Sequence, residues 1–313
     1  MKNEVEISAI VPVDARFEDS AALASEYLAA LTDIGKTFEL VFVIDDRHSR
    51  LCDELTRIAA NDRRLRIIKL ARSFGESAAL TAGIEKTNGN IVLTLPAYYQ
   101  IQAGEIAKLI KGLESSDMTA GARWPRANAS KFEDLRRKLF HWLVGSMIGH
   151  AFNDLGCGAR ALKRIVVDEV PIYGDQHRFL PLLAIRRGFR VIEVQVAQSE
   201  RDRYKGGYSL RVYMRRLLDI LTVFFLVRFT KKPLRFFGMI GSATFALGAI
   251  FLLYVVVERL FFDVALADRP ALLLSSLLVV LGLQIFALGL LGELIIFTHA
   301  QEIKEYTIEE IVN

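Results

Sequence analysis

Cysteine is scarce in this chain, with only Cys52 and Cys157 among 313 residues. Two thiols so far apart exclude a disulfide framework and fit a reducing compartment. Histidine is sparse as well. His48, His141, His150, His177 and His299 are too scattered for a metal cluster. A strong excess of one charge is also missing, because 40 Lys and Arg face 36 Asp and Glu for a formal net charge of +4. That balance argues against nucleic acid as a partner. The basic excess is assigned instead to anionic lipid headgroups and a phosphate-bearing substrate. Met1-Lys2-Asn3-Glu4 carry no apolar targeting segment, which agrees with a cytoplasmic globular part.

Long uncharged runs are what the chain does have. Phe236 to Val257 holds no charged residue, and neither does Ala271 to Gly292. Each matches the ~20 residues that a helix needs to cross a bilayer core. A short polar turn with Glu258, Arg259, Asp263, Asp268, Arg269 and Pro270 lies between them. The pattern predicts a transmembrane helical hairpin; two buried helices of a soluble core are the alternative, disfavoured by length. Gly238, Gly241, Gly248, Gly282, Gly289 and Gly292 would let the spans pack closely. Arg211, Arg215, Arg216, Arg228, Lys231, Lys232 and Arg235 crowd the approach to the first span, as cytoplasmic flanks do. The expectation is therefore a multi-pass protein of the inner (plasma) membrane. Its globular domain and the tail from Thr298 to Asn313 are cytoplasmic, and the turn near Asp263 lies outside. Gln284 and Glu293 fall within or beside the second span, where polar groups are expensive and often functional. Glu293, near the cytoplasmic end, is placed to snorkel or to pair with a juxtamembrane base. Arg136 to Phe152 and Leu210 to Phe229 suit helices lying in the interface, or amphipathic helices packed on the domain core. For the second stretch the interface is favoured, since it leads straight into the span.

The first half alternates strand and helix patterns. Strands are expected over Val5–Val13, Glu39–Ile44, Leu65–Leu70, Ile91–Leu95 and Met118–Ala122. Helices are expected over Ser20–Leu31, Cys52–Ala60, Glu76–Lys86 and Ala103–Leu113. Near-continuous apolar strands between amphipathic helices imply an α/β fold, a parallel sheet covered on both faces. Ligands of such sheets bind beyond the carboxyl ends of the strands. The residues found there are Pro12-Val13-Asp14, Asp45-Asp46, Ala71-Arg72-Ser73, Pro96-Ala97-Tyr98 and Arg123. Asp45-Asp46 suits a ligand contact or a helix N-cap equally. Arg72 suits a phosphate or a salt bridge to a neighbouring loop.

Taken in order, Ile10-Val11-Pro12-Val13, Val43-Ile44-Asp45-Asp46, the run Ala71 to Leu80, Asn153 to Arg160, His177-Arg178-Phe179-Leu180-Pro181 and Lys232 to Gly238 carry a family likeness. The chain resembles family 2 glycosyltransferases of the polyprenyl-phosphate type over nearly its whole length. The resemblance implies a GT-A-like, mostly parallel sheet with helices on both faces, then an interfacial amphipathic helix and a two-helix transmembrane hairpin. In domains this means residues 1–207 for the transferase, 208–232 for the juxtamembrane helix, 233–300 for two spans (about 236–258 and 271–297), and 301–313 for the tail. The activity implied is sugar transfer from a nucleotide-sugar donor to a polyprenyl phosphate acceptor at the bilayer, by a homo-oligomer. Pro12, Asp45 and Asp46 would line the base and ribose, and Arg72 would sit near the diphosphate. Asp154 would be the candidate base. Arg201, Arg203 and Lys205 would bind the acceptor phosphate.

Three stretches depart from the family pattern. Where the family has Asp-x-Asp for a divalent metal, this chain reads Pro96-Ala97-Tyr98-Tyr99-Gln100, so no metal or other cofactor is expected. Asp14-Ala15-Arg16 and Arg47-His48-Ser49-Arg50 replace two other turns of the donor edge. Tyr98, Gln100 and Arg123 then become the donor-side candidates, with Arg72, Arg126, Arg47 and Arg50 as further fixed cations. Two readings stand side by side: a metal-independent transferase that uses arginine, or a donor site that binds without catalysis. Any single Arg also reads as a solvated surface charge. Asp154 also reads as a turn residue before Gly156 and Gly158, and Cys157 as small packing.

Overall fold

The computed structural model describes residues 5–14, 17–18, 20–123, 152–170, 176–202, 233–262 and 270–299. The chain forms two compact units, a sheet with its helices and a pair of long C-terminal helices.

The sheet unit begins β1 (Ile7–Pro12), α1 (Ser20–Asp33), β2 (Phe38–Ile44), α2 (Ser49–Asn61) and β3 (Leu65–Lys69). It continues with α3 (Glu76–Glu85), β4 (Ile91–Thr94), α4 (Ile106–Gly112) and β5 (Met118–Ala122). After the undescribed 124–151 come β6 (Arg160–Lys163), α5 (Arg164–Glu169), α6 (Leu180–Arg186) and β7 (Val191–Gln195). The seven strands lie in the order β3-β2-β1-β4-β6-β5-β7. All pairings are parallel except those of β6 with β4 and β5. Every residue of β1 and β2 is buried, as the apolar runs Ile-Ser-Ala-Ile-Val-Pro and Phe-Glu-Leu-Val-Phe-Val-Ile require of strands covered on both faces. The one acid among them, Glu39, is paired with Arg66 and accepts from Ser8 Oγ at 2.8 Å. α3 lies so close to β1 that a Cβ on Gly83 would sit 2.5 Å from Ile10 Cγ2.

The helix expected over Ala103–Leu113 is divided. Ala103–Glu105 forms a tight 3-10 turn, and α4 starts at Ile106. The core runs through Tyr27, Leu40, Phe42, Leu93, Leu95 and Ile106, all essentially sealed from solvent. Tyr27 also donates its phenol to the Pro96 carbonyl at 3.0 Å. That bond ties α1 to the loop after β4, so the core itself sets the position of Tyr98 and Gln100.

The helical unit is α7 (Pro233–Phe262) and α8 (Pro270–His299), 30 residues each. At 1.5 Å per residue each is about 45 Å long, more than a bilayer core. Their apolar side chains are largely turned outward, Leu273 being 74 % exposed. A pair of buried core helices would hide them. Glycine makes the contact between the two helices: a Cβ on Gly282 would lie 2.4 Å from the Phe245 nitrogen. Glu293 Oε2 accepts the Leu234 N–H at 3.4 Å, so this acid caps the opening turn of α7. The segments 208–232, 263–269 and 301–313, with all of 136–152 except Phe152, lie outside the described residues.

Candidate active site

Parallel strands end together, so the sequence places its candidate residues along one edge. Pro12 closes β1 and is buried. One residue past β2, Asp45 is only 4 % exposed and caps the turn Asp46–His48. Its Oδ1 accepts from the Arg47 N–H at 3.0 Å and meets His48 Nδ1 at 2.7 Å, and its Oδ2 accepts from Arg47 Nε at 2.9 Å. Burial opposes ionisation of Asp45, but the bonds from Arg47 and His48 outweigh it and hold the carboxyl at about 2. The N-cap role is therefore filled, with both carboxylate oxygens engaged inside the loop. Asp46 is exposed on the turn that follows.

Arg47 reaches further. Its Nη2 donates to Asp14 Oδ1 at 2.8 Å and to Ser73 Oγ at 2.7 Å. One half-exposed guanidinium thus ties the loops after β1, β2 and β3. Arg72 turns outward, its guanidinium 4.9 Å from the centre of the exposed Phe74 ring. Gly75, at φ +88°, turns the chain sharply before α3 begins at Glu76.

The other half of the edge holds a second cluster. Arg123, one residue past β5, is 6 % exposed and Asp154 is 4 % exposed. Arg123 Nε donates to Asp154 Oδ2 at 2.7 Å and Nη2 to Oδ1 at 3.1 Å, a two-pronged pair. Nη1 lies 3.4 Å from Asp202 Oδ2, which also accepts from Gln198 Nε2 at 2.8 Å. Burial works against the charge on Arg123, but Asp154 outweighs it and raises the guanidinium's pKa. Asp154 is in turn held from behind, because Glu193 of β7 accepts its backbone N–H at 3.0 Å. The residue expected as a base and one of the donor-side candidates are therefore bound to each other.

Gln100 is almost sealed off, at 1 % exposure. Its Oε1 accepts from Gly158 N–H at 2.7 Å and its Nε2 donates to the Tyr98 phenol at 2.7 Å. A divalent cation does not fit this loop. It offers no carboxylate, and the Gln100 carbonyl is already occupied. Among the described residues no group of three or more His, Cys, Asp or Glu is placed to hold a metal. Arg201 packs 3.8 Å over the Tyr99 ring and pairs with Glu26 at 2.5 Å. Arg203, Lys205 and Arg126 lie outside the described residues.

Behind these clusters Arg160 is fully enclosed. It donates to the carbonyls of Cys157, Leu155 and Arg178, each at 3.1 Å, and to that of His177. Burial lowers its pKa. His177 Nδ1 meets Ser77 Oγ at 2.8 Å, and its Nε2 lies 3.1 Å from Glu76. Cys157 packs against Gly121 with its thiol pushed up to about 11 by burial, which suits an inert packing residue. Sequence reasoning missed Asp202, Glu193 and the Ser77–His177–Glu76 chain. For Asp202 there was a signal, a lone acid between Arg201 and Arg203.

A profile described as glycosyl transferase family 2 matches residues 8–166, just over half of the chain. Among curated proteins, the chain is 26 % identical over 303 residues to a dodecaprenyl-phosphate galacturonate synthase of Rhizobium johnstonii, covering 95 % of this chain and 90 % of that one. It is 28 % identical over 310 residues to an undecaprenyl-phosphate 4-deoxy-4-formamido-L-arabinose transferase of Photorhabdus laumondii, covering 98 % and 94 %. Among solved structures, the mannosyl-3-phosphoglycerate synthase of Rubrobacter xylanophilus shares the fold, with a TM-score of 0.54 at 13 % identity over 70 % of this chain and 73 % of that one.

Proposed function

The chain belongs to glycosyl transferase family 2, and from that premise we propose that it is a membrane enzyme moving a sugar from a nucleotide-sugar donor to a polyprenyl phosphate on the cytoplasmic face. The observation that carries this reading is the reach of the likeness. Relatives named for sugar transfer to polyprenyl phosphates align over 95–98 % of the chain, helical unit included. In this reading residues 1–207 are the cytoplasmic transferase, 208–232 the juxtamembrane helix, 233–300 the two spans and 301–313 the tail.

The chemistry asks for little acid–base work. An oxygen of the acceptor phosphate attacks the anomeric carbon, the bond from that carbon to the nucleoside diphosphate breaks, and the diphosphate leaves with the electron pair. The acceptor is already ionised, so orientation and charge stabilisation dominate. Asp154, the candidate base, fixes the Arg123 fork with both its oxygens, and Arg123 faces the leaving diphosphate together with Arg72. Pro12, Asp45 and Asp46 border the nucleoside, Tyr98 and Gln100 shape the floor, and Arg201, Arg203 and Lys205 receive the acceptor phosphate. No metal enters the step, because fixed cations cover the diphosphate.

The test is transfer by the purified full-length protein from nucleotide sugars to undecaprenyl phosphate, with and without EDTA. Transfer that survives chelation is the expected result; transfer abolished by chelation and restored by a divalent ion overturns the metal-independent form. One observation favours a second reading, a silent relative acting as a scaffold in a membrane glycan or lipid pathway. Arg47 already occupies Asp45, one of the residues expected beside the nucleoside, and holds it to Asp14 and Ser73. Absence of transfer with every common donor, together with absence of donor binding by calorimetry, selects that reading.

A further inference from the structure

Glu193 sits in β7, an edge strand of the sheet, beside Ala120 of β5. Its neighbours Ile192 and Val194 turn toward α4, where a Cβ on Gly112 would lie 3.5 Å and 3.2 Å from their side chains. Successive side chains of a strand alternate, so Glu193 turns to the opposite face. There it meets the turn that opens at Asn153. Its Oε1 accepts the Asn153 N–H at 2.8 Å and the Asp154 N–H at 3.0 Å. Its Oε2 accepts the Asn153 N–H at 2.8 Å and the Asn153 side-chain amide at 2.9 Å. The carbonyl side of the same turn is held by Arg160, which donates to Leu155 and Cys157. An acid thus takes the turn's N–H groups and a base takes its carbonyls. The Asp154 side chain leaves the turn between these anchors and meets Arg123 with both oxygens.

From this relay we infer that Glu193 is a positioning residue for sugar transfer, acting through Asp154 on Arg123. The inference rests on the transferase reading, in which Arg123 faces the leaving diphosphate. A guanidinium stabilises developing charge best from a place set in advance, with no reorganisation left for the moment of reaction. A fork held by one carboxylate stands only as precisely as the backbone that carries that carboxylate. Bonds from main-chain N–H groups to an ionised acid are short and strong, so Glu193 fixes that backbone directly. In this reading it touches no reacting atom. A displacement of about 1 Å in such a group costs about 10²-fold in rate.

The experiment measures transfer by the purified full-length protein to undecaprenyl phosphate from a panel of UDP- and GDP-linked sugars. The donor that the parent turns over fastest is used for the variants, at a temperature where thermal unfolding shows each of them folded. Glu193→Ala is expected to lower kcat about 10²-fold and to leave KM for both substrates within about threefold. Glu193→Gln keeps an oxygen that accepts both main-chain N–H groups, and its new amide can donate to the Asn153 side chain once that turns over. It is expected to recover at least about tenfold of the loss. Added to Asp154→Asn, Glu193→Ala is expected to slow transfer by less than about threefold further, because the path it acts through is already cut. If Glu193→Ala does not fold, Glu193→Asp, which keeps the charge but draws it back by one methylene group, takes its place under the same criteria. A kcat within about threefold of the parent overturns the inference, whatever the unfolding temperature, and makes Glu193 a brace for the fold alone. A loss confined to KM, or a full second loss on top of Asp154→Asn, overturns it as well. Those failures leave the transferase reading standing, since the parent still transfers. A parent that transfers from no donor of the panel ends that reading and the role of Glu193 with it.

Discussion

Asp154→Ala would strip both carboxylate oxygens from Arg123 and leave a buried guanidinium with Asp202 Oδ2 at 3.4 Å as its nearest acid. Both partners of the pair are under a tenth exposed, so solvent cannot take over. Removing one partner of a buried ion pair costs about 3–5 kcal/mol, because the other charge stays desolvated. Asp202 softens the loss toward the low end, about 3 kcal/mol. For a unit of this size that is a fall in Tm of about 6–12 °C. The double change Asp154→Leu with Arg123→Leu removes the uncompensated charge and recovers most of the fall. Thermal unfolding of the detergent-solubilised protein, followed by near-ultraviolet circular dichroism, reads all three proteins. If Asp154→Ala unfolds within about 2 °C of the parent, the pair does not hold this corner and the reasoning fails. If instead sugar transfer falls by about 10²–10⁴ with unfolding unchanged, Asp154 is a proton acceptor and not a brace for arginine.

Other outcomes follow from the same geometry. The Asp45 carboxyl sits at about 2, below its ordinary 3.8, so the stability it contributes is complete above pH 3.8 and is lost as pH falls toward 2. After allowance for solvent screening that is about 1 kcal/mol. Asp45→Asn should flatten the acid limb of a denaturant-midpoint profile between pH 4 and 2, and an unaltered limb would show the contribution lies elsewhere. Arg47→Ala should weaken nucleotide-sugar binding about tenfold by calorimetry if its guanidinium serves the donor; tighter binding would mean that Arg47 obstructs the site. Gly282→Val should force α7 and α8 apart, since its Cβ would lie 2.4 Å from the Phe245 nitrogen. Faster proteolysis of the helical unit in vesicles would report it, and an unchanged digestion pattern would count against the packing.

Much of the sheet was legible because burial on both faces leaves a simple trace. The strand expected over Met118–Ala122 has those bounds in the structure, and β1 to β4 differ by a residue or two. β6 left no such trace: it has four residues with a base at each end, and it runs against its neighbours. Its place between β4 and β5 is decided by pairing across the sheet, which no local pattern encodes. The edge holding the candidates was readable for the same reason that parallel strands are. Their partnerships were not, since Arg123 and Asp154 stand 31 residues apart and meet only once β5 and β6 are paired. The Arg47–Asp45 contact is local, and a carboxylate two residues before an arginine at a turn was the available clue.

Arg160 grips two loops solely through their main-chain oxygens. Such a rivet is blind to side-chain identity at positions 155, 157, 177 and 178. Leu155, Cys157 and His177 are buried while Arg178 is exposed, so drift or redesign at Arg178 could change what this stretch presents to a ligand while its path stays put.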